Sequence, residues 1–302
     1  MKHLNIIEVK PQGYCGGVLK AIDIAKQTRQ KYPDQKITIL GNLVHNDYVK
    51  KSLALLTIDT LEIKGKTRTE LLDSIDEGIV IFTAHGVSQQ VYDKAIKKKL
   101  QIVDASCPFV LQTQKLVKQK LNEGFDIFYI GKNQHPEAES IYTLSQRVHL
   151  IDKVETIPIH IKNKIFVTNQ TTMSLYDIQS IFENIKKIYP DAIIHDEICN
   201  ATRVRQQALL DLSDKNVDVL IVVGDPTSNN TKQLANIGIK ANIPKVLRIS
   251  DVTQLDIHLF KENMTVAVTS GASTPTYLTK QVLYYLQHND EPRPEIQIEE
   301  IL

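Results

Sequence analysis

Three cysteines stand at positions 15, 107 and 199 of a 302-residue chain, at two equal intervals of 92. Their surroundings repeat along with the spacing. Leu100 to Ala105 is a short run of β formers. Ser106 can supply a helix cap, Pro108 suits a first helical turn, and Val110, Val117 and Leu121 recur at helical spacing. Leu4 to Val9 is strand-like, Gly13-Tyr14-Cys15-Gly16-Gly17 is a tight turn, and Val18, Ala21, Ile22 and Ala25 open a helix. Ala192 to Ile198, then Cys199, then Val204, Ala208 and Leu212 give the same order a third time. Each cysteine thus falls where a strand ends and a helix begins, where free N–H groups and the helix dipole favour a thiolate. The regularity predicts an internal triplication.

The remaining strands fit that reading. Lys36 to Leu40 and Gly78 to Phe82 are expected strands in the first third. Phe125 to Ile130 and Lys164 to Thr168 follow in the second, and Val217 to Val223 and Thr265 to Thr269 in the last. Each ends in a polar loop: Gly41 to Asn46, Thr83 to Ser88, Gly131 to Glu137, Asn169 to Thr172, Gly224 to Thr231 and Ser270 to Pro275. The expected fold class is therefore α/β, as three similar small units with mostly parallel sheets. The units are placed at residues 1–104, 105–196 and 197–282. In open parallel sheets ligands bind outside the carboxyl ends of the strands, so three such sheets facing one another would gather these loops around one cavity. Glu291-Pro292-Arg293-Pro294 is a stiff connector; Glu295 to Leu302 either adds an edge strand or wraps an earlier unit, and the tail, residues 283–302, is placed against the first unit.

A formal net charge of +1 gives no electrostatic case for nucleic acid or an anionic membrane. Lys97-Lys98-Lys99 is most simply a solvated helix face. Met1 to Asn5 lacks the apolar core of a signal peptide, and no apolar run approaches a membrane span, so a cytoplasmic location is expected. An odd number of cysteines rules out a pure disulfide framework and agrees with thiols kept in a reducing compartment.

A lone cysteine is most often a small buried apolar residue. Three at equivalent turns are better explained as ligands. No C-x-x-C pair occurs. Three thiolates can hold zinc with one position open, or three irons of a [4Fe–4S] cluster with the fourth iron free; spacing alone leaves both open. His45, His85 and His135 each occupy a strand-end loop, and three converging imidazoles suit a phosphate or diphosphate. Thr171, Thr172, Ser228, Asn229, Asn230 and Ser273 are short donors in similar loops, and together they read as an anion cradle. No Walker or G-x-G-x-x-G motif points to a nucleotide. Glu137, just behind Pro136, is a loop carboxyl able to deliver a proton.

Taken together, these stretches resemble the 4-hydroxy-3-methylbut-2-enyl diphosphate reductase (LytB/IspH) family. The resemblance runs through Gly-Tyr-Cys15-Gly-Gly-Val, Val-His45-Asn, Ala-His85-Gly-Val-Ser, Asp-Ala-Ser-Cys107-Pro and His135-Pro-Glu137. It continues through Gln170-Thr171-Thr172, Ile-Cys199-Asn-Ala-Thr, Ser228-Asn229-Asn230 and Gly271-Ala-Ser273. It covers nearly the whole chain. It implies a pseudo-threefold trefoil of the three units around one central [4Fe–4S] cluster per chain, with Cys15, Cys107 and Cys199 each binding one iron and one iron left open. By the same resemblance His45, His85, Ser228, Asn230 and Ser273 hold the substrate diphosphate with His135 beside it. Glu137 is the proton donor and Thr171 its hydrogen-bonding partner. One departure is Asn229, where the family often has a second serine; asparagine still donates, through a longer amide.

The implied activity is reductive dehydroxylation of (E)-4-hydroxy-3-methylbut-2-enyl diphosphate to isopentenyl and dimethylallyl diphosphate, the last step of the methylerythritol phosphate isoprenoid route. Ferredoxin or flavodoxin is the expected electron donor. The alternative is a non-catalytic Fe–S redox or metabolite sensor that binds a phosphorylated ligand, and a zinc hydrolase is a third option. A sensor usually brings an output module, and no DNA-binding helix pair or basic arm is evident.

Overall fold

Every strand expected ahead of a polar loop is present in the computed structural model, which describes residues 2–302. The first third holds β1 (Asn5–Glu8), β2 (Ile37–Leu40), β3 (Ile58–Leu61), β4 (Ile79–Phe82) and β5 (Gln101–Asp104). The second holds β6 (Asp126–Ile130), β7 (Val148–Ile151), β8 (Ile165–Asn169) and β9 (Ile193–Ile194). The last holds β10 (Val219–Val223), β11 (Lys245–Ile249) and β12 (Thr265–Ser270). They form three four-stranded sheets in the orders β3-β2-β4-β5, β7-β6-β8-β9 and β11-β10-β12-β1, and every pairing is parallel.

The three orders are one topology. In each sheet the chain enters at an inner strand, moves out to one edge, returns to the other inner strand, and finishes at the opposite edge. The strand at that last position is β5, β9 or β1, and it is the strand that leads into Cys107, Cys199 or Cys15. The third sheet takes its last strand from the N-terminus of the chain, with Asn5 to Glu8 in register with Thr265 to Val268.

Two differences from the sequence reading have physical causes. β3, β7 and β11 were not expected, and each is an outer strand with a single neighbour. Ile-Asp-Thr-Leu, Val-His-Leu-Ile and Lys-Val-Leu-Arg-Ile keep polar residues that an edge tolerates, so they lack the unbroken apolar run of a central strand. The strand expected over 192–198 shrinks to Ile193–Ile194, because Asp196, Glu197 and Cys199 already belong to the functional loop.

The described chain forms two compact bodies. One body comprises Lys20–Leu43 and Leu56–Cys199 and contains the first two sheets. β6 and β8 are buried along their whole length, so both sheet faces are covered and side chains alternate between two cores. Phe128, Ile130 and Val167 pack with Ile178, Ile181 and Ile185 on one face, while Ile127, Tyr129 and Phe166 pack with Val117, Ala138 and Ile141 on the other. In the sheet of β2 to β5, Leu40, Val80 and Phe82 meet Leu71, Leu72 and Val91.

The second body comprises the chain up to Leu19, Val44–Leu55 and Asn200–Leu302. Its core joins Leu220, Val222 and Ala267 to Leu209, Leu234 and Ile237. The tail forms no strand; its last turn, Ile298–Ile301, packs on the helices Asp47–Leu55 and Thr276–Gln287 and buries Ile301. Tyr14, next to Cys15, donates its hydroxyl to the Ile301 carbonyl at 2.9 Å. No helix among the described residues is long and apolar enough to cross a membrane.

Candidate active site

The chain direction reverses across each sheet between β2 and β4, β6 and β8, or β10 and β12, and the loops after these strands flank a topological switch point. They are the loops that the sequence marks as polar. Each loop after the first strand of a pair starts with a glycine whose N–H caps the neighbouring edge strand: Gly41 to the Leu61 carbonyl at 2.8 Å, Gly131 to Ile151 at 3.0 Å and Gly224 to Ile249 at 2.8 Å. The fifth residue beyond the strand is His45, His135 or Ser228.

The cysteines repeat just as closely. Cys15 N–H donates to the Ala272 carbonyl at 3.0 Å, Cys107 N–H to Ala84 at 2.9 Å and Cys199 N–H to Thr171 at 3.1 Å. Each acceptor is the second residue past the other inner strand, and the residue after it is Ser273, His85 or Thr172. One backbone hydrogen bond therefore sets each cysteine beside a polar loop of its own sheet. The thiols are all partly exposed and none is in a disulfide. Helices begin at Gly16, Pro108 and Asn200, directly behind each sulfur. Cys107 itself is the N-cap residue, with Pro108 at the first helical position. Ser106, expected to cap this helix, does not; its backbone N–H donates to the Asp104 carboxylate at 2.9 Å and its hydroxyl caps nothing.

In the body that holds the first two sheets, Glu137 and Thr171 form a closely bonded pair. Glu137 is 2% exposed. Its Oε1 accepts the Thr171 N–H at 2.8 Å and its Oε2 the Thr171 hydroxyl at 3.0 Å. Burial outweighs these donors and pushes the carboxyl up to about 7, so it holds a proton it can release near neutrality. Thr171 also accepts the Cys199 N–H, so one residue fixes both the acid and a cysteine loop. Pro136 starts the short helix Pro136–Tyr142, and His135 caps it by accepting the Glu137 N–H on Nδ1 at 3.2 Å. That bond assigns Nδ1 as acceptor and leaves Nε2–H as the donor of a neutral ring. The rings of His135 and His85 meet edge to face at 5.5 Å.

In the other body Ser228 caps the helix Asn229–Lys240, and Ser273 Oγ lies 3.4 Å from Ser228 Oγ and 3.0 Å from the His45 carbonyl. Asn230 accepts the Ala272 N–H on Oδ1 at 2.9 Å and reaches Thr202 with Nδ2 at 3.4 Å. Its carbonyl is thus held by the loop after β12, and the amide N–H₂ is the half suited to an anion. Asn229 is the first residue of that helix and half-buried.

Two side chains escaped the sequence reading. Arg205, buried on the helix behind Cys199, donates to the Gly13 carbonyl at 2.8 Å and shapes the turn into Cys15. Tyr129, fully buried on β6, faces Glu137. A tyrosine inside the aliphatic run Ile-Phe-Tyr-Ile was the available signal, since a buried hydroxyl needs a partner.

Comparison with known proteins agrees with this geometry. Residues 6–287 match the family described as LytB protein. A 4-hydroxy-3-methylbut-2-enyl diphosphate reductase from Geobacillus kaustophilus is 45% identical, over 96% of this chain and 92% of its own length. One from Listeria monocytogenes is 46% identical, over 95% and 87%. Among solved structures, the E-1-hydroxy-2-methyl-but-2-enyl-4-diphosphate reductase of Plasmodium falciparum superposes with a TM-score of 0.86 at 30% identity, covering 98% of this chain and 95% of that one. The matched span holds all three cysteines and every polar loop described above, and the chain belongs to the LytB family.

Proposed function

We propose that the chain catalyses reductive dehydroxylation of (E)-4-hydroxy-3-methylbut-2-enyl diphosphate to isopentenyl and dimethylallyl diphosphate, as the last step of the methylerythritol phosphate route. The observation that carries this reading is Glu137. A buried carboxyl, protonated near neutrality and held through both oxygens by the residue that also anchors a cysteine loop, is what C–O cleavage at an allylic alcohol requires. A redox sensor has no need of such an acid.

The donor set fits an iron–sulfur cluster. The three sulfurs, none in a disulfide and each at a helix start, are soft donors, and the carboxylates of the same turns are already engaged, Asp104 by the Ser106 N–H, Asp196 by the Ile198 N–H and Glu197 by the Thr113 hydroxyl. Cys15, Cys107 and Cys199 would hold a [4Fe–4S] cluster through three irons. Once bound, it supplies single electrons and one open Lewis-acidic iron.

The chain's own residues do the rest. His45, His85, His135, Ser228, Asn229, Asn230 and Ser273 bind the diphosphate with N–H and O–H donors, and that end of the substrate positions the alcohol. Glu137 protonates the departing oxygen, so the C–O bond breaks with release of water rather than hydroxide. Two electrons and two protons enter in all; one proton leaves in the water and the other ends on carbon. Thr171 keeps the Glu137 carboxyl in place. Electrons come one at a time from a ferredoxin or flavodoxin in the cytoplasm, where thiols stay reduced.

The test is oxidation of reduced viologen by the anaerobically purified protein. It should depend on this substrate, should persist with wild-type iron and sulfide content, and should drop by at least about a hundredfold in Glu137→Gln with the metal content unchanged. Substrate-independent oxidation, or a Glu137→Gln variant of near-normal rate, would overturn the reading.

A further inference from the structure

We propose that Tyr129 is a positioning residue for Glu137, its buried hydroxyl being the third donor held ready for the carboxylate that remains once the proton has left. Tyr129 lies one residue from the end of β6, in the same core as Ala138 and Ile141 of the helix that carries Glu137. A Cβ added at Gly131 would sit 2.9 Å from Tyr129 Cε1 and 3.3 Å from Gln170 Oε1, so the glycine marks a place where backbone and ring already touch. Gln170 is itself fixed by the Lys132 N–H at 3.0 Å.

The hydroxyl has no solvent and makes no hydrogen bond of good geometry among the described residues. A buried hydroxyl left so costs stability unless another state of the protein uses it. The acidic groups facing it are Glu137 and Glu197, and both, with burial, keep the phenol protonated. Glu197 is already engaged, by His195 Nε2 at 2.9 Å and by the Thr113 hydroxyl at 3.2 Å. Glu137 takes two well-formed donors, both from Thr171, with the Tyr129 hydroxyl close by and not yet aligned. A carboxylate in a dry site takes more than two donors well, and Tyr129 is near enough to draw the Glu137 carboxyl down against the effect of burial.

Other charges near these elements point elsewhere. The helix Pro108–Asn122 carries lysines alone, exposed or paired with Glu123. His149 of β7 is beside Asp126, Glu139 faces Arg68, Glu62 and Glu70, and His135 meets Glu137 through the backbone N–H.

The catalytic side of this role rests on the proposed function, so the experiment has two readouts on Tyr129→Phe, which removes one oxygen and keeps the ring. The first is the pH dependence of kcat in the viologen assay with the holoenzyme. Its alkaline limb, where Glu137 loses its proton, should move up by about one pH unit, a tenfold change in the ionisation equilibrium, with KM within about twofold and iron content unchanged. The second is melting temperature from pH 5 to 8, which reports the same carboxyl without substrate; there the fall in stability with pH should move up by the same amount. A Tyr129→Phe, Glu137→Gln double variant should show neither effect. If melting shifts but neither protein turns the substrate over, the pairing stands and the reductase reading falls. If neither readout shifts, the role of Tyr129 is refuted.

Discussion

Glu137→Gln should make the protein more stable at alkaline pH while removing the proposed acid. The Glu137 carboxyl rises from an ordinary value of 4.5 to about 7 in the fold, and burial is the leading cause. Between those two pH values the folded protein keeps a proton that the unfolded chain has lost. Stability contributed by this group is therefore full below about pH 4.5 and disappears as pH climbs through 7. The shift corresponds to about 3 kcal/mol, from 1.36 kcal/mol per pH unit. Glutamine is neutral throughout. Its carbonyl can take the Thr171 N–H and its amide can donate to the Thr171 hydroxyl, so both contacts survive the change. The two proteins should melt within a degree or two of each other near pH 5, and at pH 8 the variant should melt about 5 °C higher. The assay is thermal unfolding followed by circular dichroism, under argon, at four pH values. The cluster and the remaining titrating groups are common to both proteins and cancel in the difference. Parallel melting curves from pH 5 to 8 would show that no buried carboxyl titrates at position 137, and the acid role would go with it.

Replacing Cys15, Cys107 or Cys199 by serine should cost each variant its brown colour and most of its iron, because three ligands are too few to lose one; an iron-replete Cys199→Ser protein would remove that sulfur from the set. Gly13→Ala should be more harmful than its size suggests. Gly13 has φ +74° and an added Cβ would overlap Thr276 Oγ1, so a loss of about 1–3 kcal/mol is expected, read as a lower melting point together with lower iron uptake. Ile301→Ala should lower stability by about 2–4 kcal/mol in urea unfolding, because Ile301 is buried and the turn that carries it also receives the Tyr14 hydroxyl. A neutral Ile301→Ala would mean that the tail is an ornament rather than part of the core.

The inner strands and the site loops were legible because the same physics acts on both. A strand buried on two faces must be written in Val, Ile, Leu and Phe, and a loop at its carboxyl end must stay polar, so Val219 to Val223 followed by Gly224-Asp225-Pro226 is plain in the sequence. The edge strands were hidden for the converse reason. Lys245-Val-Leu-Arg-Ile249 has one neighbour and an exposed arginine, and its pattern resembles that of many solvated segments. Nor does local pattern reveal that β1 closes the last sheet, since pairing of Asn5 with Thr265 is a contact across nearly the whole chain. Arg205 stayed invisible because its partner Gly13 is 192 residues away, and Tyr129 because a turn must bring it back onto Glu137, eight residues on.

The triplication also bears on why one position out of three suits the proposed acid. Seven residues past the first inner strand of each sheet stand Asp47, Glu137 and Asn230, all within the first two turns of the helix that follows. The backbone gives them the same start, and their surroundings divide them. The Asp47 carboxylate is 55% exposed and pairs with Lys51 at 2.8 Å, an ordinary solvated i,i+4 bridge worth little. Asn230 has no proton to give and is built into the loop after β12 through the Ala272 N–H. Glu137 alone is both ionisable and dry, beneath Thr171 and beside Tyr129. A repeat can thus supply three equivalent places for binding, but an acid that works near neutrality needs burial, and burial of a carboxylate is costly enough to be met once. The asymmetry of the site follows from that cost, and a symmetric scaffold is no obstacle to it.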